Sequence, residues 1–210
     1  MNYYQDLTLL SDLDIGLGFL WHKVYQQVHI ALVAQKVDDH HSAIAVGFPE
    51  YGCQNFPLGS KLRMFAKEKS QLEALNLNGF LTRLQDYTHV KSIQPVPDTK
   101  SMVAFVRQHV KGQARIEKDM LIKAHLWAKK SGKSVQFCIQ ELAKTKPKFD
   151  STLPFIWLES QETKTRNPTG FARFPLFIER IELTAKKDGL FNYYGLSAKR
   201  GEHLASVPNF

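Results

Sequence analysis

The first 97 residues alternate between short apolar stretches and one longer amphipathic stretch. Apolar residues recur every three or four positions from Leu17 to Leu32, which predicts a helix, and Ser11 or Asp12 offers its N-cap. The other elements predicted here are strands at 2–10, 43–48 and 61–65, a helix at 70–77 and an extended region at 80–96. The order β-α-β-β-α-β is that of a ferredoxin-like unit. Because prolines at positions 95 and 97 close it, we predict a first domain over residues 1–97.

Residues 98–210 follow a different pattern and form the second predicted domain. An extended segment at 102–110 precedes two helices, at 113–130 and 134–144, and a strand at 152–160 precedes a polar loop at 162–170. Two further strands, at 174–184 and 190–196, flank the turn Lys187-Asp188-Gly189 and predict a hairpin. The predicted fold class is therefore α+β, with an N-terminal ferredoxin-like domain and a C-terminal domain that contains a basic helix and a β-hairpin.

The excess positive charge of the chain is concentrated between Thr99 and Asp150. This segment holds 12 basic and 4 acidic residues and so carries the whole formal net charge of +8. A basic surface attracts a polyanion and gains affinity by counterion release, which makes nucleic acid the first candidate partner. The alternative is a solvated helix face whose lysines serve solubility. Two features favour nucleic acid: few carboxylates at i,i+4 spacing, and a strand face shared by Phe105, Arg107, His109 and Lys111.

Composition argues against several other classes of protein. Cys53 and Cys138 lie far apart and in no metal-binding spacing, which favours free thiols in a reducing compartment. No signal-peptide pattern occurs, and no apolar run approaches the roughly 20 residues of a membrane span, so we expect a cytoplasmic protein that binds no membrane. No zinc-protease pattern and no glycine-rich phosphate-binding pattern occurs, so we expect neither a metal nor a cofactor.

Four residues are candidates for chemistry, and each also has an ordinary structural explanation. His29 lies at the edge of the buried stripe of the first helix, where it is either a general base or a half-buried histidine bonded to a carbonyl. Tyr194 precedes a turn glycine and on pattern alone fits a core aromatic. Ser160 ends a predicted strand as a loop-edge serine would. Phe174 is either an alternating strand aromatic or a residue that stacks on a base.

An ordered set of short motifs resembles the CRISPR subtype I-F repeat-processing endoribonuclease family. The segment from Val28 to Gln35 is similar to the first helix of that family, which carries a catalytic histidine in an H-x-A-L-V-A-Q context. Further similar motifs follow in the same order and at similar spacing: Gly47-Phe48-Pro49-Glu50, Leu58-Gly59, Leu62-Arg63, Pro154-Phe155, Ser160-Gln161, Arg173 to Ile178, Tyr194 to Ser197 and Val207 to Phe210. Together they span nearly the whole chain.

The resemblance implies a function and a set of site residues. The function is metal-independent cleavage of a CRISPR repeat hairpin to mature crRNA, with a 2′,3′-cyclic phosphate as product. The protein would then stay on the hairpin beside other Cas subunits of the type I-F surveillance complex. By resemblance, His29 deprotonates the ribose 2′-hydroxyl, Ser160 holds the ribose and Tyr194 orients His29. The implied RNA-binding residues are Arg107 and His109 as base readers, Phe174 as a stacking residue, and Lys111, Arg115, Lys118 and Lys123 on or beside a helix in the major groove.

The chain also departs from the family's pattern. Its groove helix carries lysines where the family is rich in arginine, and a lysine makes point-charge contacts where an arginine makes bidentate ones. His109 stands where glutamine is common. The loop from Glu162 to Pro168 is longer than usual and offers Lys164 and Arg166 as further backbone contacts. One other function stays open, that of a catalytically silent subunit that binds an RNA hairpin with the same basic segment.

Overall fold

The fold class is α+β, as predicted. A computed structural model of the chain describes residues 1–53, 56–110, 113–145, 152–166, 172–198 and 204–210. Its strands are β1 (Tyr3–Leu9), β2 (His41–Ser42), β3 (Ala45–Gly47), β4 (Lys61–Ala66), β5 (Thr88–Val90), β6 (Gln94–Pro95), β7 (Met102–Gln108), β8 (Phe155–Glu159), β9 (Arg173–Leu183), β10 (Phe191–Asn192) and β11 (Val207–Pro208). Its helices are α1 (Leu17–Ala34), α2 (Lys69–Leu75), α3 (Leu77–Phe80), α4 (Gln113–Ser131), α5 (Val135–Lys144) and α6 (Gln161–Arg166), with a 3-10 helix at Thr82–Tyr87.

Contacts divide the chain into two compact units. The larger unit comprises Met1–Gln108 and Pro154–Phe210, and the smaller unit comprises His109–Leu153. Within the larger unit, strands from both sides of Pro97 bury their apolar side chains in one core cluster. The division by contacts thus falls at other residues than 97, and a domain boundary at 97 stays a prediction.

The first sheet of the larger unit is antiparallel, and β1 lies inside it. The strand order is β3-β4-β1-β5, and β6 also pairs with β1. In this register Leu7 lies opposite both Leu62 on β4 and Val90 on β5. Leu7 and Leu62 are fully buried and help to form the core that receives α1. The complete ferredoxin-like arrangement stays a prediction.

The second sheet of the larger unit supports the candidate site. Its strand order is β11-β7-β9-β8, so β8 is an edge strand. Ile156 and Leu158 on β8 alternate with exposed side chains and are buried, and β8 packs along α1. Since β8 lies between β9 and α1, the residues at the end of β8 are held near one face of that helix.

Helix α1 begins later than the sequence predicts. Its N-cap is Gly16, which has extended backbone angles and makes no side-chain cap bond. The Asp12 side chain instead accepts hydrogen bonds from the main-chain nitrogens of Asp14 and Ile15, so it closes a turn before the helix. The predicted apolar stripe is buried from Leu20 to Leu32, whereas Leu17 is half-buried, and the polar residues His22 and Gln26 are buried with the stripe.

The smaller unit consists mainly of two packed helices, as predicted. α4 and α5 pack through the buried residues Ala124, Ala128 and Cys138. The Ser134 side chain caps α5 by accepting a hydrogen bond from the main-chain nitrogen of Phe137 at 3.2 Å. Among the described residues, no helix has both the length and the apolar character needed to cross a bilayer.

Three predicted segments differ from the structure. The hairpin at 174–184 and 190–196 is wrong, because β9 pairs with β7 and β8 while β10 pairs with β2. The extended region at 80–96 is wrong over its first part, which is helical up to Tyr87. The polar loop at 162–170 is wrong up to Arg166, because residues 161–166 form α6. In the first case the cause is a partner strand distant in sequence, which local pattern does not reveal.

Candidate functional site

His29 is held on two sides near the end of α1. Its Nδ1 lies 3.0 Å from the main-chain oxygen of Tyr193, and because a carbonyl only accepts, Nδ1 carries the proton. Its ring stacks on the ring of Tyr194, with centroids 4.5 Å apart and planes 14° from parallel. In this tautomer the lone pair is on Nε2, which is the form that a general base requires.

The loop that holds His29 is built by its own side chains and by α1. Asn192 Oδ1 accepts hydrogen bonds from the main-chain nitrogens of Tyr194 at 2.9 Å and Leu196 at 3.2 Å. From α1, the Tyr25 hydroxyl donates to the main-chain oxygen of Tyr194 at 2.8 Å. Since Tyr25 lies one helical turn before His29, the same helix fixes both the histidine and the loop that contacts it.

Gly195 is required in this loop by both its conformation and its surroundings. Its φ is +72°, a left-handed conformation that glycine adopts without strain. Its main-chain oxygen accepts a hydrogen bond from Val46 at 2.8 Å, which brings the two backbones together. A Cβ at this position would lie 2.6 Å from Val46 Cγ1. The glycine thus lets the Tyr194 ring and its loop pack against β3 and remain beneath His29.

Arg107 lies against the rings of both Tyr194 and Phe174, which are two of the residues predicted from the sequence. Its guanidinium carbon lies 5.1 Å from the Tyr194 ring centre and 5.4 Å from the Phe174 ring centre. It also donates a hydrogen bond to the Tyr194 side chain. The structure therefore brings together four of the residues singled out in the sequence: His29, Tyr194, Arg107 and Phe174.

The electrostatic setting of these residues keeps His29 unprotonated. Burial lowers the pKa of His29 below its ordinary 6.5, and the Arg107 cation lowers that pKa further, against the opposing effect of the bond to Tyr193. Burial raises the pKa of Tyr194, an effect that Arg107 partly offsets. At neutral pH the cluster thus holds a neutral imidazole, a neutral phenol and one guanidinium cation.

Ser160 lies at the junction of β8 and α6. Its Oγ accepts a hydrogen bond from the main-chain nitrogen of Thr163 at 3.1 Å, which makes Ser160 the N-cap of α6. Its main-chain nitrogen donates to Ala172 at 2.9 Å. The adjacent Glu159 bonds Lys164 and Arg173, which together lower its pKa to about 2. Ser160 is linked to α1 through Glu159, whose main-chain nitrogen donates to Gln26.

The basic helix belongs to the smaller unit. Arg115, Lys118 and Lys123 on α4 are all exposed, as are Lys129 and Lys130 in its last turn. His109 is exposed and also belongs to this unit. Lys111 lies outside the described residues. No group of three or more His, Cys, Asp or Glu residues suited to a metal ion occurs in the described part of the chain.

Sequence reasoning missed some residues that shape this site. The sequence analysis assigns no role to Tyr25, His22 or Gln26, although each of them bonds the main chain of a segment that shapes the site. Their signal is present in the sequence, because polar residues at 22, 26 and 29 interrupt an apolar stripe at spacings of four and three. Glu159 and Arg173 carry no comparable signal, since a charged pair at strand ends is ordinary.

Comparison with known proteins gives matches along the whole chain. The family model described as CRISPR-associated protein (Cas_Csy4) matches residues 4–210. A protein of Escherichia coli (strain UTI89 / UPEC), named CRISPR-associated endonuclease Cas6/Csy4, is 27% identical over 211 aligned positions that cover 100% of both chains. A protein of the same name from Pseudomonas aeruginosa (strain UCBPP-PA14) is 27% identical over 201 positions, covering 94% of this chain and 96% of the relative.

Proposed function

Because the chain belongs to the Csy4 family of CRISPR-associated proteins, we propose that it is an endoribonuclease that cuts CRISPR repeat RNA at a hairpin. The names of the two relatives, both called endonucleases, support this assignment. The observation that carries it is the setting of His29. This histidine is bonded through Nδ1, stacked on Tyr194 and unprotonated at neutral pH, so its Nε2 is available as a proton acceptor.

The proposed reaction uses the RNA's own 2′-hydroxyl as nucleophile. The 2′-oxygen attacks the adjacent phosphorus while its proton passes to His29 Nε2. The bond from phosphorus to the 5′-oxygen breaks, and the leaving oxygen takes up a proton from solvent to become a 5′-hydroxyl. His29 then releases to solvent the proton that it accepted. The other product ends in a 2′,3′-cyclic phosphate. Such a step requires positioning and proton removal, and we propose that it proceeds without a metal ion.

The other site residues predicted from the sequence have supporting roles in this proposal. Tyr194 fixes the plane of the His29 ring by stacking, and Ser160 holds the ribose. Phe174 stacks near the scissile nucleotide, where Arg107 lies over its ring. Arg107 and His109 read bases at the foot of the stem, with the arginine suited to guanine by bidentate geometry.

The basic segment supplies affinity for the RNA. Arg115, Lys118 and Lys123 are exposed on α4, and we propose that they contact phosphates along the major groove of the hairpin, with Lys111 nearby in sequence. The protein then stays on the product hairpin beside other Cas subunits of a type I-F surveillance complex. We therefore propose that the protein acts in the cytoplasm, where the repeat transcript is made.

A cleavage assay in EDTA tests the proposal and its alternative. We expect labelled repeat RNA to give one shorter product at the same rate with and without about a hundredfold excess of chelator over added metal, because His29 performs the proton transfer. Binding of the hairpin with no product under any condition would favour the silent RNA-binding subunit. Cleavage that stops in EDTA and returns with a divalent ion would contradict metal independence.

The pH dependence of cleavage is expected to follow the lowered pKa of His29. The profile of kcat/KM reports the free enzyme, so its midpoint should lie below pH 6.5 and the profile should become level at higher pH. Folding also disfavours protonation of His29, because the pKa of this group is lower in the folded than in the unfolded chain. The contribution of His29 to the free energy of unfolding is therefore complete above about pH 6.5, its pKa in the unfolded chain, and decreases at lower pH. Single-turnover rates across this range, with hairpin affinity measured at each pH, check the expectation. A midpoint above 6.5 would contradict it.

A further inference from the structure

One face of α1 carries three polar side chains that each bond the main chain of another segment. The residues at 22, 26 and 29 are spaced by four and three, so they lie in a row along the helix. The three bonds are His22 Nδ1 to the Trp157 oxygen at 2.8 Å, Gln26 Oε1 from the Glu159 nitrogen at 2.8 Å, and His29 Nδ1 to the Tyr193 oxygen at 3.0 Å. α1 is therefore the common frame for the loop at Tyr194 and the strand that leads to Ser160.

The bonds from His22 and Gln26 supply hydrogen-bond partners to main-chain groups on the outer edge of β8. β8 ends the strand order of its sheet, so main-chain groups on its outer edge have no partner strand among the described residues. His22 donates to one of these groups, and Gln26 accepts from another. The Gln26 side chain thus replaces a strand at the last residue of β8.

The bond from Glu159 to Gln26 fixes the chain directly before Ser160. Ser160 is also fixed by its own bonds to Ala172 and Thr163. Its orientation is therefore set from three sides, and of these three bonds the one through Glu159 leads to α1. Gln26 and His29 are three residues apart on that helix, which is about 4.5 Å of rise.

We propose that Gln26 is a positioning residue that holds Ser160 at a fixed spacing from His29 during cleavage. This inference rests on the proposed function, in which Ser160 holds the ribose whose 2′-hydroxyl His29 deprotonates. The 2′-oxygen has to approach the phosphorus in line, and a shift of about 1 Å in such an arrangement lowers the rate by about a hundredfold. Gln26 controls this spacing without touching the RNA.

The other end of the same side chain supports a specific role. Gln26 Nε2 is buried and has no hydrogen-bond partner in the part of the chain that the structure describes. A buried donor without a partner is unfavourable for folding, whereas an apolar side chain of similar length would avoid it. Within the described residues the carboxamide bonds only through its oxygen, and its partner is Glu159, the residue directly before Ser160.

The test compares Gln26→Met with Gln26→Glu and with a matched control. Methionine keeps the length of the side chain but removes the acceptor, so we expect the single-turnover cleavage rate to fall by about 10- to 100-fold. Hairpin affinity should stay within about threefold, because no RNA contact is lost. The thermal midpoint should stay within about 4 °C. The Gln26→Glu variant keeps an acceptor oxygen, so it should cut faster than Gln26→Met. The control variant Gln27→Met changes the adjacent residue and should cut at the wild-type rate.

A double-mutant cycle with Ser160→Ala decides whether Gln26 acts through Ser160. We expect Gln26→Met to slow cleavage much less in the Ser160→Ala background than in the wild type, because the group that it positions is already gone. Equal slowing in both backgrounds, no slowing at all, or weaker binding alone would overturn the inference. If Gln26→Met does not fold, Gln26→Leu serves in its place. If the wild-type protein itself cuts no repeat hairpin, it is the proposed function that fails.

Discussion

Replacing His29 by alanine is expected to lower the cleavage rate by about 10²- to 10⁴-fold, the usual contribution of a general base. Among the described residues of this cluster, only His29 can accept a proton at neutral pH. The Tyr194 hydroxyl is protonated there, and Arg107 is a cation. Hairpin affinity should remain within a few-fold, because His29 makes no phosphate contact in the proposal. Single-turnover cleavage and equilibrium binding of the same labelled hairpin measure the two effects.

A surface histidine provides the control for this substitution. His89 is exposed on β5, and His89→Ala should bind and cut like the wild type. If His29→Ala cuts at nearly the wild-type rate, the assignment of the general base is wrong. If it loses binding and cleavage together, His29 serves the fold or the RNA contact.

Replacing Arg115, Lys118 and Lys123 together by glutamine is expected to weaken hairpin binding strongly. Each phosphate contact contributes about 0.7 to 0.9 units to the slope of log affinity against log salt, so three lost contacts should lower that slope by about two to three units. The three side chains are exposed on α4, and they lie in the segment that carries the formal net charge of +8. Binding measured at several salt concentrations gives both the affinity and the slope.

A second triple variant separates this effect from a general loss of charge. Lys67, Lys69 and Lys91 are exposed in the larger unit, and their replacement by glutamine removes the same total charge. This control should keep nearly the wild-type slope. Equal slopes for the two triple variants, or a wild-type slope for the α4 variant, would show that α4 does not contact the RNA phosphates.

Local sequence signals predicted the helices of the smaller unit well. α4 runs from Gln113 to Ser131, one residue beyond the predicted end, and Ser134, where the second predicted helix begins, is the N-cap of α5. These helices are set by apolar spacing and by a cap, which are both local. Family membership, expected from the ordered motifs, is also confirmed.

Long-range pairing explains most of what local pattern missed. β10 pairs with β2, so Phe191 lies opposite Ser42, and nothing near Phe191 in sequence indicates that partner. His29 is a second case, because its contact with Tyr193 joins residues 164 positions apart. Local pattern gives no sign of this contact, and only the resemblance to a known family linked His29 to the adjacent Tyr194.

The start of α6 has a local signal in the sequence. Ser160 followed by the acidic Glu162 is the pattern of a helix N-terminus, and α6 does begin at Gln161. The many polar residues after Ser160 favoured a loop instead. The start of α1 shows the opposite case, because Asp12 has the residue type of an N-cap but closes a turn four residues before Gly16.

The proposed function depends on one step, in which His29 activates the RNA's own 2′-hydroxyl for cleavage. The most direct measurement uses two repeat hairpins that differ only by a single 2′-deoxy nucleotide immediately 5′ to the scissile phosphate. We predict that the all-ribose hairpin is cut once, leaving a 2′,3′-cyclic phosphate, while the deoxy hairpin binds equally well and stays intact. Cleavage of the deoxy hairpin, or a product that ends in a 3′-hydroxyl, would contradict the proposed step.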